Sequence, residues 1–484
     1  MALKFGTSGV RGLVTEMTDL ECYLYTKAYV EYLRGTGASA VCIAGDYRSS
    51  TPRIIKAVIH AVHESGLKAD YIGYAPTPML AYHSMKAGSG AVMVTGSHIP
   101  DDRNGIKFYM PAGEILKDDE QRISAIYADL KTSGRRDGFD SSGMLINPPD
   151  PGKINESARV EYVRRYTVFF PAGCLNGLKI VFYQHSTVGR TILPEILEQL
   201  GAEVCLTGWS DTFVPVDTEA VDNPEQLAAW VKEHNADALV SADGDCDRPL
   251  LVDESGKIVH GDILGILAAT FLKADSISTP VSCNTALEQS GRFEKISRTK
   301  IGSPFVIAAM NEAVISGCSC VVGYEANGGF LTGTDIAVEG CSGRLTALPT
   351  RDAALPILSV LISACRSSKK LSELKSELPP RFTVSGIIRE FPTETGKAIV
   401  SALSEKGIEY INSVFMETFG ECVSLDLTDG CRMSFADGGI LHFRPSGNAP
   451  EFRIYTEYAD EAEAAEKNET GKKFVLNVLK PEFS

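Results

Sequence analysis

Short apolar segments alternate with amphipathic ones along most of the chain. Residues 40–46 read Ala-Val-Cys-Ile-Ala-Gly-Asp and predict a buried strand. Residues 49–66 predict a helix that is capped at Ser50 or Thr51. A second strand is predicted at residues 69–73, so that strand, loop, helix, glycine and strand follow one another as a βαβ unit.

The same order of elements returns further along the chain. Residues 177–206 predict a second βαβ unit, and residues 278–297 a fainter third one. Repeated βαβ units favour mixed sheets covered by helices on both faces, arranged in tandem domains. The last quarter of the chain departs from this order and predicts a small α+β domain. Its predicted strands are residues 382–390 and 439–443, and its predicted helices are residues 396–406 and 461–479.

Composition narrows the class of protein. A chain of 484 residues is long enough for several domains, and a mean hydropathy of −0.02 is typical of a soluble globular protein. The net charge of −15 argues against nucleic acid or an acidic membrane as a partner. No apolar run is long enough to cross a membrane, and the N-terminus does not resemble a signal peptide. The 12 cysteines are scattered without a Cys-x-x-Cys pair, which makes a zinc site or disulfide framework unexpected and favours a cytoplasmic location.

One loop combines a hydroxyl, an imidazole and an ammonium group. The apolar residues 91–94 predict a buried strand, which is followed by Thr-Gly-Ser-His with Ser97 and His98. A turn at Asn104-Gly105 is predicted to lead into the strand that carries Lys107. A rigid strand that delivers a serine hydroxyl into a polar loop suits phosphoryl chemistry, although a solvated turn remains an alternative reading.

Three carboxylates follow another predicted strand at alternate positions, Asp243, Asp245 and Asp247. Like charges this close repel one another, so a cation is expected among them. An EF-hand is excluded because Arg248 occupies the position that needs glycine and because the flanks predict strands rather than helices. The position at the end of a strand therefore favours a site for a hard metal ion, with Mg²⁺ as the first choice, over the alternative of a solvated acidic turn.

Three further loops carry groups that can bind anions or sugar hydroxyls. The N-terminal Gly-Thr-Ser-Gly-Val-Arg-Gly surrounds Arg11 with backbone N–H groups and hydroxyls. A glycine-bounded loop offers Glu325 and Asn327, a carboxylate and an amide. Near the C-terminus Arg444 and Arg453 flank a Ser-Gly-Asn turn, an arrangement that suits a tetrahedral anion. Each of these loops alone could equally be an ordinary turn.

Together the motifs resemble, in order and spacing, those of the α-D-phosphohexomutase family, the phosphoglucomutases and phosphomannomutases. The serine loop Thr-Gly-Ser-His-Ile-Pro, the acidic loop Asp-Gly-Asp-Cys-Asp-Arg, the sugar loop Gly-Tyr-Glu-Ala-Asn-Gly and the phosphate loop Arg-Pro-Ser-Gly-Asn-Ala-Pro carry the resemblance. It implies an α/β protein of four domains, three tandem similar mixed-sheet α/β/α domains and a C-terminal α+β cap around a central cleft. We expect these domains at residues 1–155, 156–258, 259–376 and 377–484.

The resemblance also implies roles for individual residues. Ser97 would carry the phosphoryl group and, with the three aspartates, would bind Mg²⁺. A hexose 1,6-bisphosphate would be the intermediate and the activator. The residues expected to line the phosphoserine are Arg11, His98 and Arg248, and Lys107 is the candidate for proton transfer. The residues expected to bind the sugar are Lys300, Glu325 and Asn327. The residues expected to bind the other phosphate are Arg444, Ser446, Gly447, Asn448 and Arg453.

The predicted function is a mutase that interconverts hexose 1-phosphate and hexose 6-phosphate, with mannose and glucose phosphates as the first choice. The Glu325–Asn327 loop looks more like that of N-acetylglucosamine phosphate mutases, so hexosamine phosphates are the second choice. Gly96 and Ile99 also depart from the family pattern, as does Asn448-Ala449 in the phosphate loop. A metal-dependent sugar phosphatase and a non-catalytic sugar-phosphate binding protein are the rival classes. A small-molecule substrate and a monomer or homodimer are expected.

Overall fold

The computed structural model describes residues 3–6, 9–134, 137–446 and 450–483. Its contacts divide the chain into two compact units. The first unit comprises Met1–Ile277 and Gly302–Lys375, and the second comprises Ser278–Ile301 and Ser376–Ser484. Within the described ranges, no helix combines the length and the apolar character that a membrane crossing requires.

The first unit begins with a seven-stranded mixed sheet in the order β1-β2-β6-β5-β3-β4, with β7 paired to β6. Strand β3 pairs in parallel with β4 and β5, whereas β6 is antiparallel to β2 and β5. The strands are β1 (Lys4–Phe5), β2 (Gly9–Leu13), β3 (Ala40–Gly45), β4 (Lys68–Tyr74), β5 (Gly90–Val94), β6 (Arg103–Met110) and β7 (Gly113–Glu114), and the helices are α1 (Asp19–Leu33), α2 (Thr51–Glu64), α3 (Thr77–Ala87) and α4 (Lys117–Thr132).

Helix α2 shows why the predicted elements form. Ser50 is its N-cap residue and Pro52 lies in its first turn, where the missing N–H of proline has no cost. Its apolar positions, among them Ile54, Val58 and Val62, recur at helical spacing and are fully buried in the core of this sheet. Full burial of each such side chain contributes about 1.5–3 kcal/mol, so the apolar face decides where the helix packs.

A five-stranded mixed sheet follows in the order β12-β11-β10-β8-β9. Strand β8 is parallel to β9 and β10, and β11 is antiparallel to β10. The elements are α5 (Ser157–Phe169), β8 (Lys179–His185), α6 (Ile192–Gln199), β9 (Glu203–Trp209), α7 (Pro224–His234), β10 (Ala238–Ala242), β11 (Pro249–Asp253), β12 (Ile258–Val259) and α8 (Gly261–Phe271). The strand–helix–strand segment β8-α6-β9 confirms the second predicted βαβ unit.

The third sheet of the first unit contains β15, β16 and β17 in that order, and the boundary between the two units falls within β13, after Ile277. Strand β16 is antiparallel to both β15 and β17. The elements are β13 (Ser276–Pro280), α9 (Ala286–Gln289), β14 (Lys295–Thr299), α10 (Ser303–Ile315), β15 (Val321–Tyr324), β16 (Phe330–Thr332), β17 (Leu348–Asp352), α11 (Ala354–Ser367) and α12 (Leu371–Ser376).

The C-terminal part of the second unit is an antiparallel sheet in the order β18-β22-β21-β20-β19, packed against helices. Helix α13 is interrupted at Gly407, where φ is 70°; its first part ends where the predicted helix of residues 396–406 ends, and a second helical part that was not predicted follows. The elements are β18 (Phe382–Arg389), α13 (Thr393–Phe419), β19 (Cys422–Asp426), β20 (Cys431–Phe435), β21 (Ile440–Pro445), β22 (Glu451–Tyr458), α14 (Glu461–Phe474), a wider turn at Val475–Leu479 and α15 (Lys480–Glu482).

One local prediction is wrong. Asn104-Gly105 does not form a turn but lies inside β6, where Gly105 pairs with Arg11 of β2. A side chain at Gly105 would meet the Thr95 carbonyl oxygen at 2.8 Å, so this glycine permits close approach of the backbone rather than a reversal of the chain. The chain turns earlier, between Gly96 and Asp102.

Candidate active site

The serine predicted to carry the phosphoryl group lies directly after a fully buried strand. All five residues of β5 are buried, and the chain leaves the sheet through Thr95 and Gly96. Ser97 adopts a left-handed conformation, with φ at 56°, and its N–H donates to Thr95 Oγ1 at 2.7 Å. Such a conformation is unfavourable for a residue with a side chain and persists where the surroundings enforce it.

A buried arginine holds this loop in place. Arg48 donates to the carbonyl oxygens of Ser97 at 2.9 Å and of Pro100 at 2.6 Å. Its Nε donates to Asp46 Oδ2 at 3.1 Å, and Asp46 also accepts from Thr95 Oγ1 at 2.7 Å. Because Arg48 and Asp46 are buried with their charges paired, the serine loop is fixed from beneath by a network that is costly to disturb.

The acidic loop meets the serine loop. Ser97 Oγ donates to Asp243 Oδ2 at 2.6 Å, although 146 residues separate the two in sequence. Asp243 follows β10, and its Oδ1 accepts from the backbone N–H groups of Asp247 and Arg248 at 3.2 Å. The structure therefore brings the predicted serine and the predicted acidic cluster into direct contact.

Two of the three aspartates are neutralised by cations from other strands. Lys107 Nζ lies 2.5 Å from Asp245 Oδ2 and 2.9 Å from Asp247 Oδ2. Arg351, from β17, donates through Nε and Nη2 to Asp247 Oδ2 at 3.1 and 2.9 Å. Thr77, at the start of α3, donates its hydroxyl to Asp245 Oδ2 at 2.6 Å.

These contacts shift the pKa values of the aspartate carboxyl groups in different directions. Burial and the neighbouring charges of Asp245 and Asp247 raise the pKa of Asp243 well above its usual range. Burial also opposes ionisation of Asp247, but Arg351 and Lys107 outweigh it and hold the pKa of that carboxyl below its usual range. Lys107 is buried as well, yet Asp245 and Asp247 raise its pKa, so in this arrangement its ammonium group can donate a proton but not accept one.

The three aspartates fit a hard metal ion. One oxygen from each lies within 4.8 Å of the others, and all three side chains are fully buried. Oδ1 of Asp245 and Oδ1 of Asp247 are buried and accept no hydrogen bond from the described part of the chain. A buried carboxylate oxygen without a donor is unfavourable, and a divalent cation with oxygen ligands would satisfy both.

His98 and two arginines lie beside the serine loop and the acidic loop. Arg248 Nη1 lies 2.6 Å from His98 Nδ1. Burial, together with the positive charges of Arg248 and Arg11, keeps the pKa of His98 well below 6.5, so the ring is neutral and its Nδ1 accepts from Arg248. Burial and the proximity of Arg248 also lower the pKa of Arg11 to about 10. A positive field of this kind suits a phosphate group.

Glu325 and Asn327, in the predicted sugar loop, are fixed by hydrogen bonds to other residues of the first unit. Glu325 is buried and accepts from Arg351 Nη1 at 2.8 Å, so Arg351 bridges Glu325 and Asp247. Asn327 is buried, its Oδ1 accepts from the Gly329 N–H at 2.9 Å, and its carbonyl oxygen accepts from Thr218 Oγ1 at 2.9 Å.

The remaining predicted residues belong to the second unit. Asp429 gathers two of their segments: its Oδ2 accepts at 2.9 Å from Arg444 Nε and from the backbone N–H of Ile301, next to Lys300. Arg453 lies opposite Arg444 on β22. The Ser446 N–H donates to the Glu451 carbonyl oxygen at 2.9 Å. Gly447 and Asn448 lie outside the described residues.

Sequence reasoning missed Arg48, Arg351 and Asp429. A signal for Arg48 existed, because Asp46 ends the strand predicted at residues 40–46 and Arg48 follows it, and polar side chains at the end of a strand often belong to a functional site. No such signal marked Arg351, which lies in a buried strand 104 residues from Asp247 in sequence.

Comparison with known proteins agrees with this geometry. Family models described as phosphoglucomutase/phosphomannomutase, alpha/beta/alpha domains I, II and III, match residues 2–133, 161–256 and 260–382. A phosphomannomutase of Sinorhizobium fredii is 42% identical, over 96% of this chain and 97% of its own. A phosphoglucosamine mutase of Cereibacter sphaeroides is 29% identical, over 95% of each chain.

Solved structures of similar proteins share the fold. The crystal structure of a phosphoglucomutase/phosphomannomutase family protein from Burkholderia thailandensis superimposes with a TM-score of 0.72 at 19% identity, covering 98% of this chain and 97% of that one. The predicted fold class is confirmed, with three tandem α/β/α domains followed by a sheet-rich C-terminal domain. The chain belongs to the phosphoglucomutase/phosphomannomutase family and is an enzyme of that family.

Proposed function

We propose that this enzyme interconverts mannose 1-phosphate and mannose 6-phosphate, with Ser97 as the carrier of the phosphoryl group. The observation that carries the proposal is the contact of Ser97 Oγ with Asp243, at 2.6 Å, inside a buried cluster of three aspartates and one lysine. A serine hydroxyl next to a metal-type acidic cluster and a positive field is suited to phosphoryl transfer.

The reaction needs two transfers in opposite directions. In the first, the phosphorus–oxygen bond to Ser97 breaks and a bond to a free hydroxyl of the hexose phosphate forms; that hydroxyl loses its proton and Ser97 Oγ gains one, so no net proton is released. The product is a hexose 1,6-bisphosphate, which we propose as intermediate and activator. In the second, its other phosphoryl group moves back to Ser97, and the proton returns to the sugar oxygen.

The residues around Ser97 supply charge and position. Arg11, Arg248 and the neutral His98 would line the phosphoserine and donate hydrogen bonds to its oxygens, and their mutual proximity supports this role. Lys107 holds a proton at Nζ and can deliver it to an oxygen from which the phosphoryl group departs. Lys107 is buried, so its charge acts in a medium where it is weakly screened.

Asp243, Asp245 and Asp247, together with a phosphoserine oxygen, would hold Mg²⁺. The bound ion neutralises charge on the phosphoryl oxygens. The two buried oxygens without donors, on Asp245 and Asp247, support this assignment.

Mannose phosphate is the proposed substrate because the phosphomannomutase of Sinorhizobium fredii is 42% identical, whereas the phosphoglucosamine mutase is 29% identical. Glucose phosphates are the expected second substrate, and hexosamine phosphates are the alternative that Glu325 and Asn327 keep open. In the second unit, Lys300, Arg444, Ser446 and Arg453 are proposed to bind parts of the substrate that are not being transferred. All 12 cysteines lie in the described residues and none forms a disulfide, which supports a reducing compartment such as the cytoplasm.

The test combines mapping of the phosphate with a panel of substrates. We expect the purified enzyme to carry a phosphate on the peptide that contains Ser97 and to convert mannose 1-phosphate into mannose 6-phosphate with Mg²⁺ and catalytic hexose 1,6-bisphosphate. Ser97→Ala should abolish both. Ser49→Ala is the matched control, because Ser49 is an exposed hydroxyl that contacts Asp101 of the same loop.

Each alternative function predicts a different result in these assays. Faster turnover of glucosamine 1-phosphate than of mannose 1-phosphate would replace the proposed substrate. Net release of phosphate without dependence on a bisphosphate would indicate a phosphatase. Full turnover by Ser97→Ala would overturn the mechanism altogether.

A further inference from the structure

A second cluster of metal-ligating side chains lies in the first sheet, away from the aspartates of the active site. It consists of Cys42 on β3, Asp70 on β4 and His83 on α3. One ligand atom of each lies within 4.8 Å of the other two. Cys42 and His83 are buried and Asp70 is partly buried.

Strand and helix geometry explain why these three residues meet. Cys42 is the parallel partner of Asp70, so the two side chains point to the same face of the sheet. Their neighbours Val41 and Ile43 point to the other face, into the core beneath α1 and α2. Helix α3 lies on the face of Cys42 and places His83 Nε2 3.0 Å from Asp70 Oδ2.

The separations of the ligand atoms fit a small tetrahedral ion. Zinc binds thiolate, imidazole and carboxylate at about 2.0–2.3 Å, and at tetrahedral angles such bonds place ligand atoms about 3.3–3.6 Å apart. Cys42 Sγ lies 3.6 Å from Asp70 Oδ2, within this range. His83 Nε2 lies 3.0 Å from Asp70 Oδ2, a few tenths of an ångström below it. Sulfur, nitrogen and oxygen ligands together favour Zn²⁺ over Mg²⁺ or Ca²⁺.

Each of the three side chains also has a partner that fixes its orientation. His83 Nδ1 lies 2.9 Å from Glu161 Oε2, the arrangement in which a metal-bound histidine donates its other N–H to a carboxylate. Asn155 Nδ2 donates to Asp70 Oδ1 at 2.9 Å, which leaves Oδ2 toward the cluster. Cys42 Sγ lies 3.3 Å from Ser89 Oγ.

We propose that Cys42, Asp70 and His83 form a second metal site, for Zn²⁺ or a similar transition-metal ion, with Glu161 as the partner that orients His83. Binding requires the thiolate of Cys42, whose S–H proton is released to solvent, and an unprotonated Nε2 on His83, with the ring N–H at Nδ1 donating to Glu161. The site joins β3, β4 and α3, and α3 begins at Thr77, which contacts Asp245 of the active site. Its role is therefore to fasten α3 to the sheet. Cysteine spacing could not reveal it, because the three ligands come from separate elements.

Cobalt provides the test, because sulfur ligation of Co²⁺ gives a near-ultraviolet charge-transfer absorption that an all-oxygen site lacks. Full-length enzyme is freed of metal with a chelator, supplied with excess Mg²⁺ for the aspartates of the active site, and titrated with Co²⁺. We expect one equivalent to produce the absorption and Zn²⁺ to displace it. Zn²⁺ should also raise the unfolding temperature of the wild-type enzyme.

Single substitutions test which side chains bind the metal ion. Cys42→Ser should abolish the absorption, His83→Gln should weaken Co²⁺ binding, and Glu161→Gln should weaken it about 10–100-fold. Cys341→Ser, at a partly buried thiol elsewhere, should leave it unchanged. Far-ultraviolet circular dichroism of each metal-free variant checks its fold; if Cys42→Ser does not fold, Glu161→Gln, which retains the thiol, decides the question. No sulfur-to-cobalt absorption in the wild type, or its persistence in a folded Cys42→Ser, would overturn the proposal.

Discussion

Arg351 and Asp247 form a buried ion pair in which Nε and Nη2 of the arginine lie 3.1 and 2.9 Å from the same carboxylate oxygen. The third guanidinium nitrogen, Nη1, donates to Glu325 at 2.8 Å. One arginine thus connects the acidic loop after β10 with the predicted sugar loop after β15. The positions of the two loops are therefore energetically coupled.

Replacement of Arg351 by glutamine should destabilise the first unit. Glu325 would lose the arginine that pairs with it and Asp247 would lose one of its cations, and removal of one partner from a buried pair costs about 3–5 kcal/mol. Thermal unfolding should show the loss. The coupling can be measured in a double-mutant cycle with Glu325→Gln, where we expect an interaction energy of about 1–3 kcal/mol. Additive effects of the two substitutions would contradict a direct coupling.

Asp245→Asn should leave the enzyme folded but nearly inactive. The substitution removes one of the three carboxylates of the metal-type cluster and one partner of Lys107. A metal ion contributes several kcal/mol to transition-state stabilisation, so kcat should fall by at least about a hundredfold. Steady-state assays at increasing Mg²⁺ concentration provide the measurement, and the apparent Mg²⁺ affinity should fall in parallel. Asp222→Asn, at an exposed aspartate, is the control.

The loops of the candidate site were easier to predict than the groups that hold them. Ser97 and Asp243 each follow a buried strand, so short apolar runs with polar residues at their ends were enough to find them. Arg351 acts through a partner far away in sequence, and a single sequence contains no signal for such a pair. Arg48 also binds a distant segment, and only its place after a predicted strand marked it. The domain boundaries and the roles of the site residues stay predictions.

Local turn preferences misled where the sheet decided the outcome. Asn104-Gly105 has the composition of a hairpin turn, but pairing of β6 with strands on both sides keeps it extended. The Asn104 side chain is used instead to donate to Ser50 and Thr51 at the start of α2, at 2.8 and 3.0 Å. Tertiary pairing thus overrode the local propensity.

Gly96→Ala should weaken the serine loop. A Cβ atom on Gly96 would lie 2.5 Å from Cζ of the buried Arg48, which would have to move. Overpacking of this kind costs about 1–3 kcal/mol. We expect a lower unfolding temperature and reduced kcat, because Arg48 binds the Ser97 carbonyl oxygen. Gly35→Ala is the control, since its Cβ would meet no atom within 4 Å; equal stability of the two variants would refute the clash.

Two buried histidines should make the enzyme less stable in mild acid. Burial lowers the pKa of His185, in the first unit, and of His442, in the second, from 6.5 to about 4. Their Nε2 atoms donate to the carbonyl oxygens of Ala242 and Asp429, at 2.8 and 2.6 Å. Their Nδ1 atoms have no partner in the described part of the chain. The folded protein therefore keeps both rings neutral where the unfolded chain already protonates them.

The sign of the effect follows from proton uptake. Between about pH 6.5 and pH 4 the unfolded state binds more protons, so the free energy of unfolding decreases as pH falls, by about 1.4 kcal/mol per pH unit for each histidine. Above pH 6.5 these two groups contribute no slope. Denaturant unfolding at a series of pH values measures how the free energy of unfolding depends on pH. His185→Gln, which retains an N–H donor for Ala242, should reduce this dependence in the first unit. A slope that His185→Gln and His442→Gln both leave unchanged would show that other groups carry the acid sensitivity.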